Sequence, residues 1–92
     1  IGSLVYSLIL RIRGLLMIKL MLNNKLYSKS LLFQYLENNK FIKNKIDELY
    51  KIYNSEKNDI KVKESDIVTK ADVGKLLMIA EKLLKEVKKL LR

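Results

Sequence analysis

The sequence predicts an all-α protein, an antiparallel four-helix bundle with one helix short, on three observations. Only three glycines and no proline interrupt 92 residues, 49% of them apolar, so long helices are favoured and a β-rich fold lacks its turns. The C-terminal segment repeats Val73, Leu76, Leu77, Ala80, Leu83, Leu84, Val87, Leu90 and Leu91 at the helical period, with lysines opposite. The N-terminal segment carries an apolar run from Leu4 to Leu22 that is far too long for a strand.

The first helix is expected over about 3–22, with Ser3 as N-cap and Asn23 and Asn24 as the stop, since asparagine tolerates the left-handed conformation at a helix C-terminus. Leu4, Leu8, Ile12 and Leu15 share one arc, but Tyr6, Leu10, Met17 and Leu20 cover much of the remainder. A helix apolar nearly all round belongs at the centre of a bundle, or divides its faces between the bundle and a second subunit. Arg11, Arg13 and Lys19 fall inside the same run and argue against a membrane span, and the small-residue cleavage pattern of a signal peptide is missing.

Ser28 or Ser30 can cap a second, short helix over about 30–39, carrying Leu32, Phe33, Tyr35 and Leu36. A third, over about 40–55, shows one stripe of Ile42, Ile46, Leu49, Tyr50 and Tyr53. The polar segment of about 57–68 is expected to be a loop pinned by Ile60 and Val62. Thr69 and Asp72 then form a capping signal for the last helix, over about 70–91. These parts make one domain, residues 1–92, of a size that buries only about 60–65% of its unfolded surface. A chain that opens on Ile1 rather than methionine leads us to expect further residues before it.

Composition narrows the chemistry. Without cysteine there are no disulfides, thiolate metal sites or thiol nucleophiles, and without histidine the commonest general base and nitrogen ligand are gone. No constellation of carboxylates, lysine or tyrosine stands out in their place, so no catalytic residue, metal or cofactor is expected. The lack of cysteine fits a reducing cytoplasm.

Charge points either to partners or to no more than a lysine-rich, solubilising surface. Nineteen basic groups against ten acidic ones leave +9, which attracts polyanions. Residues 1–45 hold eight basic groups and one acidic, whereas residues 46–92 hold eleven and nine, so the excess lies in the first half. Arg11 and Lys19 could reach a phosphate, or could be no more than the solvent edge of the first helix. Arg13 points among Tyr6, Met17 and Leu20, where a charge needs either a ligand or an ion pair with a carboxylate such as Asp47 or Glu48. Of the five tyrosines, 6, 35, 50 and 53 lie on helical stripes and read as core. Tyr27, in a polar connection beside Lys29, is free to stack on a base. Gly14 and Gly74, inside helices, suggest close helix contacts, and Met78 among Lys75, Lys82, Lys85 and Lys89 suggests a contact surface.

In order, these features resemble the HEPN superfamily, small α-helical domains that accompany minimal nucleotidyltransferases in prokaryotes. The likeness is carried by Tyr6-Ser7-Leu8-Ile9-Leu10-Arg11-Ile12-Arg13-Gly14-Leu15-Leu16 in the first helix, Lys29-Ser30-Leu31 opening the second, Phe41-Ile42 opening the third and Ala80-Glu81 in the last. The family's ribonucleases place a histidine four to six residues after an arginine, and this chain has none. The resemblance therefore implies a non-catalytic branch, closest to archaeal proteins, whose partner is a nucleotidyltransferase. We expect a self-associating module, a homodimer, that binds such a partner, a nucleotide or RNA through Arg11, Arg13, Lys19, Tyr27 and Lys29. A purely structural domain, or a degenerate ribonuclease using Arg11 or Arg13 with a tyrosine, is the alternative.

Overall fold

A computed structural model describes residues 2–58 and 68–92, and these form four helices: α1 (Gly2–Leu22), α2 (Lys29–Asn38), α3 (Lys43–Lys57) and α4 (Lys70–Leu90). The all-α class with one short helix holds. The pinning of the connection by Ile60 and Val62 lies outside the described residues; Val68, at its end, is buried in the core.

Helix boundaries follow local chemistry. α1 already includes Ser3, which therefore sits in the first turn rather than capping it. It ends where Asn24 turns left-handed at φ 58°, and the amides of Asn24 and Lys25 donate back to the carbonyls of Met21 and Leu20 in a Schellman motif. α2 starts on Ser28, whose hydroxyl accepts from the Leu31 amide at 3.2 Å. It closes with the same motif one helix later: Lys40 and Phe41 donate to Glu37 and Leu36, and Lys40 takes φ 74°. α3 begins at Lys43 rather than near Lys40 for this reason. The left-handed turn swings Phe41 into the core, and Ile42 becomes an N-cap without a side-chain bond. α4 opens on the expected capping box, with Thr69 and Asp72 each bonding the other's backbone amide.

One core joins the four helices. Val5 and Ile12 of α1, Leu32 of α2, Leu49 of α3, and Leu76 and Leu83 of α4 are sealed from solvent within it. α1 is central, packing on both α3 and α4. Near the C-terminal ends of the two long helices, Lys19 meets Glu86 at 2.9 Å, and buried residues run the length of both, so α1 and α4 are parallel. The antiparallel arrangement holds instead for α2 against α4, because Lys75, early in α4, donates to the Lys40 carbonyl just beyond the end of α2 and lies over the Phe41 ring. A six-residue link from α1 to α2 enforces reversal, whereas the longer connection from α3 to α4 does not. α3 ties the two long helices together at the end where both begin: Lys45 bonds Asp72, and Tyr53 stacks on Tyr6 with ring centroids 5.4 Å apart.

Candidate functional site

Three of the five candidate residues converge. Arg13 leaves α1 toward the connection between α1 and α2, and its guanidinium carbon lies 5.4 Å from the centre of the Tyr27 ring. Lys29, the first residue of α2, sets its ammonium 4.5 Å from the centre of the Tyr50 ring and 5.3 Å from that of Phe33. Phe33 meets Tyr50 edge-on at 5.1 Å, Tyr50 leans on Tyr53 at 5.5 Å, and Tyr53 stacks on Tyr6. A continuous aromatic run thus crosses from α2 through the buried Tyr53 of α3 to α1, with Lys29 over its α2 end and Arg13 to one side over Tyr27.

The electrostatics of this surface are one-sided. Burial pushes the Tyr27 hydroxyl above its ordinary pKa of 10.0, the bond and charge of Arg13 pull it only part of the way back, and Tyr50 and Tyr53 add to the rise. The phenol is therefore neutral at physiological pH. α2 has no acidic residue in its first turn, so the positive end of its dipole and the Lys29 ammonium add in sign. The ion pair proposed for Arg13 with Asp47 or Glu48 does not form among the described residues; its partner is an aromatic face. Tyr27 is not free of the core as its polar surroundings suggested, being half-buried and packed against it under the guanidinium.

The other two candidates lie elsewhere. Arg11 is exposed, and two residues of helix place it about 160° around α1 from Arg13. Lys19 is about one-third exposed, and its ammonium is engaged by Glu86 on α4. A signal for this was present: Lys19 stands seven residues after Ile12 and eleven after Leu8, which puts it in the buried sector of α1. Sequence reasoning also missed Phe33 and Tyr50 as the floor beneath Lys29, although Phe33 stands at the i+4 position that a helical Lys29 faces.

Met78 is exposed on the outer face of α4 among Lys82, Lys85 and Lys89, a shallow depression walled by one helix alone. Gly14 and Gly74 make no close helix contact, since a methyl group on either would meet nothing within 4 Å. Among the described residues no cluster of acidic side chains could hold a metal ion, and no helix is long and apolar enough to cross a membrane. No family of proteins matches the chain, and no curated protein or solved structure matches it either.

Proposed function

We propose that this chain is a non-catalytic, HEPN-like binding module that self-associates and holds RNA or a nucleotide on the surface of Arg13, Tyr27 and Lys29. The observation that supports this reading is the pairing of two cations with partly exposed rings, Arg13 over Tyr27 and Lys29 over Phe33 and Tyr50, drawn from three helices and a connection. Phosphates bind the guanidinium and ammonium groups, and the half-exposed rings of Tyr27 and Phe33 offer edges and faces on which a base can stack. Such binding is tolerant of sequence and falls steeply with salt. A nucleotidyltransferase is the protein partner that the family resemblance implies, and a chain without histidine lacks the family's means of cutting RNA.

Fluorescence anisotropy with a short labelled single-stranded RNA tests the proposal. Arg13→Ala and Lys29→Ala should each weaken binding several-fold and lower the slope of log affinity against log salt by about one. Binding that is insensitive to salt and to both substitutions would sink it.

A further inference from the structure

The Arg13 surface leaves Arg11 and one face of α1 without a role. In a right-handed helix seen from its N-terminus, residues advance clockwise. On α1, Tyr6 faces α3 and Lys19 faces α4, so Leu4, Ile18 and Leu22 fall on the flank beyond α4. On α4, Lys82 reaches α2 and Asp72 reaches α3, so Leu77, Leu84 and Leu91 fall on the flank beyond α1. The two helices are parallel, and both flanks therefore lie on one side of the pair, the side that α2 and α3 do not cover. These side chains are exposed, from 38% at Leu84 to 65% at Leu91, and together show roughly 500 Å², near the most that a monomer ordinarily leaves in one patch.

Cations stand among these leucines. Arg11 is seven residues from both Leu4 and Ile18 and shares their stripe, and Lys70 opens the α4 stripe that continues at the same spacing through Leu77, Leu84 and Leu91. Lys88 follows Leu84 by one turn, and Lys85 and Arg92 edge the outer margin. All five cations are exposed, against the single carboxylate of Glu81, and none of these groups is ion-paired among the described residues.

We propose that this α1–α4 face rests on an anionic lipid surface, with both helices parallel to the membrane plane. Charge and chemistry select that occupant. A second copy would set like charges against these, and a dry protein interface would bury Arg11 between Leu4 and Ile18 without a partner. A strand of RNA finds no ring here to stack on, since the aromatic side chains lie on α2, on α3, in the links beside them and on the α3 side of α1. At a lipid surface the leucines enter the acyl boundary, while the lysine and arginine stems run alongside them and lift their charges to the headgroup phosphates. The contact is with the surface alone, because among the described residues no helix is long and apolar enough to cross a membrane. Arg13 lies about 160° around α1 from Arg11 and faces away from the lipid, so this contact does not rest on the RNA reading.

Vesicle flotation with the full chain tests this, comparing equal parts phosphatidylglycerol and phosphatidylcholine with phosphatidylcholine alone. The parent should float with the anionic vesicles and not with the neutral ones. Arg11→Ala and Lys88→Ala should each lower the partitioning about fivefold, and Leu77→Ser combined with Leu84→Ser should abolish it, with RNA affinity unchanged in all three. Circular dichroism checks that the leucine variant is folded; should it unfold, the two exposed cations decide alone. A parent that stays off both vesicles, or floats equally with both, overturns the proposal. So does flotation that survives Arg11→Ala and Lys88→Ala but is lost in Arg13→Ala, which places the lipid contact on the RNA surface. Light scattering on the same samples covers the remaining occupant: a parent that stays off vesicles but forms a dimer split by the leucine pair gives this face to a second copy.

Discussion

The Lys45 ammonium lies 2.9 Å from the Asp72 carboxylate, joining the first turn of α3 to the first turn of α4. The same carboxylate accepts from the amide and the hydroxyl of Thr69, so one side chain closes the capping box and ties two helices. Asp72 is almost fully buried, and burial alone raises a carboxyl pKa. The Thr69 amide, the Lys45 ammonium and the Thr69 hydroxyl outweigh it, and the net shift is downward from 3.8.

Asp72→Asn should therefore cost about 2 kcal/mol near neutral pH, one part from the lost cap and the rest from a Lys45 left without its partner. The pH dependence has a fixed sign. A carboxyl whose folded pKa is depressed contributes stability above its unfolded value and loses it as pH falls through the folded one. The penalty should stay constant from neutral pH to about 5 and shrink below 4, read by urea unfolding of parent and variant at each pH.

Lys40 occupies the left-handed position that closes α2, at φ 74°, where a side chain is strained and glycine is not. Its role in the fold is carried by its backbone, through the amide bond to Glu37 and the carbonyl that accepts from Lys75. Lys40→Gly should raise stability by about 0.5–1 kcal/mol, the relief of strain exceeding the added freedom of the unfolded chain. Thermal melts should show an increase of several degrees, and Lys40→Val, β-branched, a decrease of at least the same size.

What the sequence made legible was local. Ser28, Asn24 and the Thr69–Asp72 box act within one turn of themselves, and the α4 stripe is a property of consecutive residues, so each could be read without knowing what it packs against. Lys40 could not be read in this way. Nothing in a lysine announces a left-handed backbone, which is imposed because Phe41 must reach the core. The inward sector of Lys19 could be read from its spacing to Ile12 and Leu8, but its partner, 67 residues away, could not. Of the site, the types of residue were legible in Arg13, Tyr27 and Lys29, but their meeting depends on the path of the chain between α1 and α2. Arg11, chemically the twin of Arg13, ends on the opposite side of the same helix by the geometry of two residues alone.

Gly74 is exposed in the first half of α4, with open space where a Cβ would be. No close packing compensates its conformational freedom, so Gly74→Ala should stabilise the protein by about 0.5–1 kcal/mol. Gly14→Ala should act in the same direction, since a methyl group there also meets nothing. The two sites are on different helices and should add in denaturant midpoints measured singly and together. A loss of stability in either would mean that the glycine serves a contact made with another molecule.

Lys19 separates charge that binds from charge that folds. Its pair with Glu86 is about one-third exposed on both sides, so Lys19→Ala should cost no more than about 1 kcal/mol. With its ammonium already held by a carboxylate, Lys19 has little to offer a phosphate, and the substitution should leave RNA affinity and its salt slope unchanged. Arg13→Ala should do the reverse, lowering the affinity several-fold while disturbing only a partly exposed cation over a ring, a contact of about 0.5–1 kcal/mol. Anisotropy titrations and thermal melts run side by side on the two variants check this. Loss of RNA binding in Lys19→Ala at unchanged stability would move the binding surface from Arg13, Tyr27 and Lys29 to the Lys19–Glu86 contact of α1 with α4.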